Sequence, residues 1–411
     1  MRDFTARNAC RGLRGDAVKL IVTGYIIRHP LAGNLCAFFH YLLGFHRLGH
    51  EIVYVEESGW PDSCYDPLTG MYSDDPSSGV AALTSVAERF GLRLPICYVN
   101  RQSSRTTGLS FEALKTHLRS ADLLLDIGGT CALDEFALVS RRAVIDMDPL
   151  FTQVGRFAGK HLRDYHAHFT YGTNIGQPDC GIPDTGIDWQ PTLPPIVTDI
   201  WPERSSIAPA AARLTTICNW GAYGGVEFGG ERYGQKDEEF RKIIALPAHT
   251  AEALEIAIAG AREDDRALLT RAGWLLRSAE RVTADFDAYA AYIGNSLGEF
   301  SVAKNAYVKS RSGWFSDRSV CYLASGRPVI LQDTGARKIL PDSPALLFFS
   351  SMAQAVEQLE QLRTEYATRC RAARELAESV FGHAVLLPNL IDAAFSDPLE
   401  KATAIAAGAG S

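Results

Sequence analysis

Ser312-Gly313-Trp314-Phe315-Ser316-Asp317-Arg318-Ser319 runs directly into Val320-Cys321-Tyr322-Leu323-Ala324-Ser325-Gly326-Arg327-Pro328-Val329-Ile330-Leu331. The second part reads as a helix, a glycine stop and a buried strand, and the partly apolar run 299–303 upstream reads as another strand. Hydroxyls and charge are therefore packed at a helix start. The first turn of a helix leaves backbone N–H groups unpaired and carries the positive end of the helix dipole, so this start suits a phosphate or diphosphate. Ser316, Asp317, Arg318 and Ser319 are candidate phosphate-site residues on that ground. Helix capping alone accounts for Ser316 and Asp317, but not for an arginine set against the positive dipole end. Glu299 and Lys304 flank the preceding strand, either as a salt-bridged pair or as contacts to a ribose hydroxyl and a phosphate.

Upstream, the apolar run 213–220 ends in Asn219 and Trp220 and feeds a glycine-rich loop, 221–234, before Lys236 opens a helix. Glycines let backbone approach a ligand and lysine supplies a point charge, so Asn219, Trp220 and Lys236 join the candidate ligand-binding residues. Downstream, Asp333 follows the next strand and opens a polar loop. A strand at 345–349 and one long helix over 352–379 complete this half, and an amphipathic helix near 384–395 follows.

The N-terminal half has the same texture. The run 18–25 is a strand ending at Gly24, the loop 27–34 contains His29, Gly33 and Asn34, and a helix over 35–48 leads to a strand at 51–55. This opens a doubly wound α/β domain, whose ligands gather beyond the C-terminal ends of the strands. It lacks GxGxxG, so it is not a standard dinucleotide fingerprint. Residues 57–78, rich in Ser, Pro, Asp and Gly, form a long insertion. Two later strands deliver Asp126 and Asp148 to one edge, with Gly128 and Gly129 forming a turn beside the first. His29, Asp126 and Asp148 are the catalytic candidates: neutral imidazole accepts a proton at physiological pH, and a carboxylate orients it or serves as the base itself. Gly33, Asn34, Gly128 and Gly129 are expected to line the cleft of this domain beside them. His29 also has a structural reading, as a histidine before proline in a loop.

At 411 residues the chain exceeds one ordinary core and fits two domains. The expected division is a loose arm at 1–16, a first domain at 17–205, a second at 206–382 and a C-terminal helix at 383–401 returning to the first. The linker falls near 200–212, and 402–411 is a small-residue tail. The net charge of -7 supplies no basic field for nucleic acid or an acidic membrane. Nine cysteines without CxxC spacing fit reduced thiols in a cytoplasmic protein and give no ground for a structural zinc. No run in the chain is long enough to span a bilayer as an apolar helix.

The segment 312–329, with Gly326-Arg327-Pro328-Val329 and then Asp333-Thr334-Gly335, resembles the donor-binding segment of GT-B glycosyltransferases. The opening, with Gly24, His29, Gly33 and Arg47-Leu48-Gly49-His50-Glu51-Ile52, is similar to the acceptor domain of the same enzymes. The resemblance implies two Rossmann-like doubly wound parallel-sheet domains facing across a cleft. It further implies transfer of a sugar from a UDP-, GDP- or TDP-linked donor to a hydroxyl-bearing small-molecule acceptor, without a metal or other cofactor. Many retaining members carry two glutamates in this segment, and the second position falls here at Cys321. A nucleotide-sugar epimerase and a non-catalytic nucleotide- or sugar-binding protein are the alternatives.

Overall fold

The computed structural model describes residues 17–155, 162–203 and 212–396. The expected arm, the expected tail and most of the expected linker lie outside these residues. In chain order the first part contains β1 (Lys19–Thr23), α1 (Ala32–Arg47), β2 (Glu51–Ser58), β3 (Cys64–Asp66), β4 (Met71–Ser73), α2 (Ser77–Arg89), β5 (Ile96–Asn100) and β6 (Arg105–Gly108). It continues with α3 (Phe111–Ser120), β7 (Leu123–Ile127), β8 (Arg142–Asp146), α4 (Phe151–Val154), β9 (Ala167–Thr170) and β10 (Trp189–Pro191). Eight of these strands make one sheet in the order β10-β9-β8-β7-β1-β2-β5-β6, parallel except for the β5–β6 pair. Its central strands are buried on both faces, which is why they read as unbroken apolar runs rather than as alternating ones.

The second part contains β11 (Leu214–Asn219), β12 (Val226–Phe228), β13 (Glu231–Tyr233), α5 (Lys236–Lys242), β14 (Leu254–Ala259), α6 (Glu263–Arg271), β15 (Leu275–Ser278), α7 (Ala279–Val282) and α8 (Phe286–Gly294). Then come β16 (Gly298–Ser301), α9 (Asn305–Ser310), α10 (Asp317–Ala324), β17 (Val329–Gln332), β18 (Leu346–Phe349), α11 (Met352–Leu362) and α12 (Tyr366–Ser379). Its sheet is wholly parallel, in the order β15-β14-β11-β16-β17-β18. The last described helix, α13 (His383–Phe395), returns to pack on α1.

Both sheets grow outward in one direction from a central strand and then restart on its other side. The reversal falls between β1 and β7 in the first sheet and between β11 and β16 in the second. At such a reversal the flanking connections leave on opposite faces and open a crevice beyond the strand ends, where α/β proteins bind ligands.

Three features depart from the sequence reading. The helix expected over 352–379 is two helices, broken where Glu365 takes a left-handed backbone (φ 56°). The break lets α11 lie against β18 while α12 packs on α10, a change of axis that apolar periodicity does not register. The insertion at 57–78 contains the antiparallel pair β3–β4. The glycine-rich stretch before Lys236 is likewise a hairpin, β12–β13, turned by Gly229 and Gly230. Both of those glycines have positive φ, 61° and 78°, as a two-residue turn of this hand requires.

The two domains meet closely. The Ala32 amide at the start of α1 donates to the Thr283 carbonyl at 2.9 Å, and Phe90 packs on Phe286 with ring centres 5.4 Å apart. On the other side of the cleft, Thr173 Oγ1 donates to the Gly313 carbonyl (2.7 Å) and the Asn174 amide to that of Ser312 (3.0 Å). Gly313 sits at φ 80°, and a Cβ there would lie 2.4 Å from Thr173 Oγ1 and 2.5 Å from the Asn174 nitrogen, so only glycine allows this approach.

Candidate active site

The second crevice holds the cations. Lys236, the first residue of α5, is 7% exposed, and its ammonium makes no hydrogen bond or ion pair among the described residues. Burial, and after it the nearby Arg318, pulls its pKa from the ordinary lysine range down to about 7, with Cys218 and Glu299 opposing. Lys304 lies just beyond β16 and also bears electrostatically on Lys236. The start of α10 opens into the same place. Ser316 occupies its N-cap position but makes no side-chain capping bond, which removes the structural reading of that serine. Ser319 is buried in the first turn. Asp317 is half-buried, and its charge is felt by Tyr25 and Cys36 of the first domain as well as meeting Lys236 and Arg318 of the second. It therefore stands between the domains; desolvation raises its pKa, and Arg318 with the helix amides opposes that rise.

Arg318 is placed differently from the expectation. Its Nε donates to Glu299 at 2.5 Å, Nη1 to the Ile217 carbonyl at 2.8 Å and Nη2 to Ser301 Oγ at 3.1 Å. Its charge reaches the crevice, but its donors are held by protein. Glu299 is fully buried, two residues short of the end of β16. At that depth it meets Arg318 and not the crevice mouth, and its second oxygen has no hydrogen-bond partner among the described residues. The expected Glu299–Lys304 pair is not formed, because Lys304 instead reaches Asp148 of the first domain (2.8 Å). Asn219 closes a turn by accepting from the Ala222 amide (3.0 Å). Trp220 is buried against Phe240, its ring nitrogen unpaired. Asp333 accepts from the Gly335 amide (2.8 Å) and so shapes its own turn.

Asp148 is the centre of a contact across the cleft. It receives Lys304 Nζ and the hydroxyls of Tyr307 and Tyr223, and Lys304 also donates to Tyr223 at 2.8 Å. The Lys304 ammonium lies 4.7–5.1 Å from the ring centres of Tyr223, Phe151 and Tyr307, within range for cation–π attraction. Tyr223 belongs to the segment leading into the β12–β13 hairpin, so this contact ties that segment to the first domain.

The first crevice is furnished in another way. Asp126 is fully buried and accepts from Thr23 (2.8 Å) and Tyr165. Burial raises its pKa and those bonds oppose the rise. Asp126 is thus enclosed by protein partners, and neither it nor Asp148 is placed as a partner for His29. The His29 ring makes no hydrogen bond among the described residues. It lies among Tyr25, Tyr65 and Tyr72, with ring centres 6.3, 6.4 and 5.7 Å away. Burial first, and Arg28 second, hold its pKa below the ordinary histidine value, so it is neutral at pH 7. Asn34 braces this loop by donating to the carbonyls of Tyr25 (3.0 Å) and His29 (2.9 Å). Gly33 faces Tyr289 of the second domain, and Gly128 and Gly129 turn the chain beyond β7 with positive φ. Cys321 is buried within α10, its thiol pKa pushed up by desolvation.

The sequence reading had no means of finding the buried Arg28–Glu56 pair (3.0 Å), which fixes the His29 loop through the Ile27 and Arg28 amides. Nor did it find Tyr25 or Tyr307. The only trace of them in sequence is a polar residue within an otherwise apolar strand or loop end.

No protein-family model matches the chain, and a comparison with curated proteins finds no match. Solved structures do resemble it. One is an alpha-glucosyltransferase in complex with UDP and a 13-mer DNA containing a central A:G mismatch, with TM-score 0.58 and 9% identity over 92% of this chain and 100% of that one. Another is Anabaena HepE in complex with UDP-glucose, with TM-score 0.55 and 10% identity over 91% of this chain and 98% of that one. A third is AviGT4, a glycosyltransferase involved in avilamycin A biosynthesis, with TM-score 0.51 and 11% identity over 92% and 97%. Identities this low speak for the fold, and the chain has the GT-B fold, two Rossmann-like domains facing each other across a cleft.

Proposed function

We propose that the chain transfers a sugar from a nucleoside diphosphate sugar to a hydroxyl-bearing small-molecule acceptor, with protein cations rather than a divalent metal meeting the charge of the diphosphate. The observation that carries this reading is the buried ammonium of Lys236, which has no partner among the described residues at the reversal point of the second sheet. A buried unpaired charge is costly, and an anionic ligand supplies the missing partner. Arg318, held by Glu299, adds positive field, and the start of α10 adds N–H groups at the end of a helix dipole. The solved structures with the same fold include complexes with UDP and UDP-glucose, which supports a nucleotide at this crevice.

Such a site stabilises the charge that develops on the departing diphosphate. In an inverting transfer the acceptor oxygen bonds to the anomeric carbon, the bond from that carbon to the phosphate oxygen breaks, and its electron pair leaves with the diphosphate. The acceptor's proton passes to a base. His29, neutral and with an unbonded ring at the cleft, is the candidate. A retaining transfer asks for no such base, and Asp317 is then the carboxylate between the domains best placed near the sugar.

Thermal shift with UDP, GDP, TDP and their sugars tests the binding step, because a ligand of the native state raises apparent stability. Stabilisation by at least one nucleotide is expected, and none by any of them would overturn the reading. Incubation with nucleotide sugars should then release free nucleotide slowly by hydrolysis, whereas an isomerised sugar would identify an epimerase. For an inverting enzyme His29→Ala abolishes transfer and leaves nucleotide affinity intact. Near-normal turnover of that variant would remove His29 from the chemistry.

A further inference from the structure

The insertion after β2 builds a surface that the diphosphate site does not use. The β3–β4 hairpin is fixed at three points: the Tyr65 amide donates to the Arg28 carbonyl (2.8 Å), Ser78 donates to Asp66 (3.1 Å), and the Ser63 and Tyr98 hydroxyls meet at 3.1 Å. On this braced frame Tyr65 and Tyr72 lie with ring centres 5.1 Å apart, and both adjoin His29. Tyr72 is 52% exposed and Trp60 49% exposed, the latter with Arg28 5.2 Å from its ring centre. The hairpin also faces the second domain, since Tyr65 feels the charge of Glu280 on α7. Half-exposed aromatic rings on a rigid frame, beside the candidate base and at the cleft, form a stacking platform.

Carboxylates outnumber cations on this platform. Residues 57–79 contain Glu57, Asp62, Asp66, Asp74 and Asp75 and no lysine or arginine. Phosphate groups are bound by cations and by N–H donors, and carboxylates repel them. The two adjoining cations are already engaged: Arg28 with Glu56, and Arg101, whose guanidinium lies over Gly59, with Glu57.

We propose that Trp60, Tyr65 and Tyr72 together with His29 form the acceptor subsite, and that it takes a ring-bearing acceptor without phosphate groups, such as a neutral glycoside, stacked on the aromatic rings. This rests on the transferase reading. The platform presents an acceptor hydroxyl to His29, while the cations of the second domain hold the donor. The same acidic hairpin turns away duplex DNA and sugar phosphates.

The test uses the intact chain and three measurements: UDP affinity by calorimetry, UDP release from UDP-sugars without acceptor, and binding and transfer with an acceptor panel. The panel contains 4-nitrophenyl hexosides, the same compounds phosphorylated at O6, and a short DNA duplex. Neutral glycosides are expected to bind, quenching tryptophan fluorescence in the wild type but not in Trp60→Ala. Tyr72→Ala and Trp60→Ala, both at exposed positions, should raise the acceptor KM roughly tenfold and leave UDP affinity and donor hydrolysis unchanged. Phosphorylated glycosides or DNA binding better than the neutral set overturns the proposal, as does an acceptor KM unmoved in both variants. If the wild type neither binds nor hydrolyses any UDP-, GDP- or TDP-sugar, it is the transferase reading that fails, and the acceptor assignment falls with it. Normal donor hydrolysis with no binding of the neutral glycosides defeats the acceptor assignment alone.

Discussion

The two crevices share a topology and differ in how their charges are satisfied. Where the first sheet reverses, Asp126 is closed off by Thr23 and Tyr165, and Glu56 takes Arg28 together with two backbone amides and Tyr54. Where the second reverses, among the described residues Lys236 has no partner and Glu299 leaves one oxygen unbonded. Equivalent strand order thus supplies two clefts, and side-chain satisfaction separates them: the charges of the first are closed within the protein, and the second is the one proposed above to take an anion. A charge with every bond made within the protein positions its neighbours; a buried charge without one is arranged for something else.

That contrast breaks most visibly in the first domain. Glu56→Gln leaves the buried Arg28 guanidinium without its counter-ion, and breaking such a pair costs about 3–5 kcal/mol. Chemical denaturation should show that loss, while UDP affinity of the folded protein stays unchanged. In the second domain the pattern reverses. Lys236→Met should weaken UDP binding about 100-fold, the scale for removing one partner of a buried charge pair, and should raise the melting temperature because an unpaired charge is replaced by a packed side chain. A Lys236→Met protein that is less stable and binds UDP normally would erase the distinction between the crevices.

pH sharpens the same contrast. The Lys236 ammonium, titrating at about 7 in the native protein, is charged below that value and neutral above it. UDP affinity should therefore fall by about tenfold between pH 6 and pH 8.5, and calorimetry on Lys236→Met should show a much flatter profile. Stability moves the other way. In the unfolded chain a lysine titrates near ~10.4, so between about pH 7 and that value the unfolded state binds the extra proton and native stability rises with pH. The smallest effect is expected at the contact between domains: Asp148→Asn frees Lys304 and should tighten UDP binding a few-fold, as measured by titration.

The alternation of strands and helices in each half is legible because buried parallel strands leave continuous apolar runs, as in β17, where the run that starts at Val329 is the strand. The hairpins β3–β4 and β12–β13 are not, because they lie outside the main sheets and their three-residue strands are too short to set up a period. Lys236, Lys304 and the start of α10 could be found from local signals, a glycine-rich approach and a helix start. Their partners could not. The ends of the Asp148–Lys304 and Arg28–Glu56 pairs lie 156 and 28 residues apart, and no local pattern joins them. Arg318 shows the same limit: its place at a helix start was readable, but its three bonds to Glu299, Ser301 and Ile217 depend on strands brought together only by folding.

The Asp148–Lys304–Tyr223 contact has a kinetic consequence. Lys304 bears electrostatically on Lys236, yet in the free protein its ammonium is already held by Asp148. On the transferase reading proposed above, a diphosphate that draws on Lys304 has to win it from that carboxylate, and Asp148 is at hand to recapture the lysine as the diphosphate leaves. On that reading the carboxylate is an internal competitor, weakening capture slightly while shortening the time a spent nucleotide stays bound.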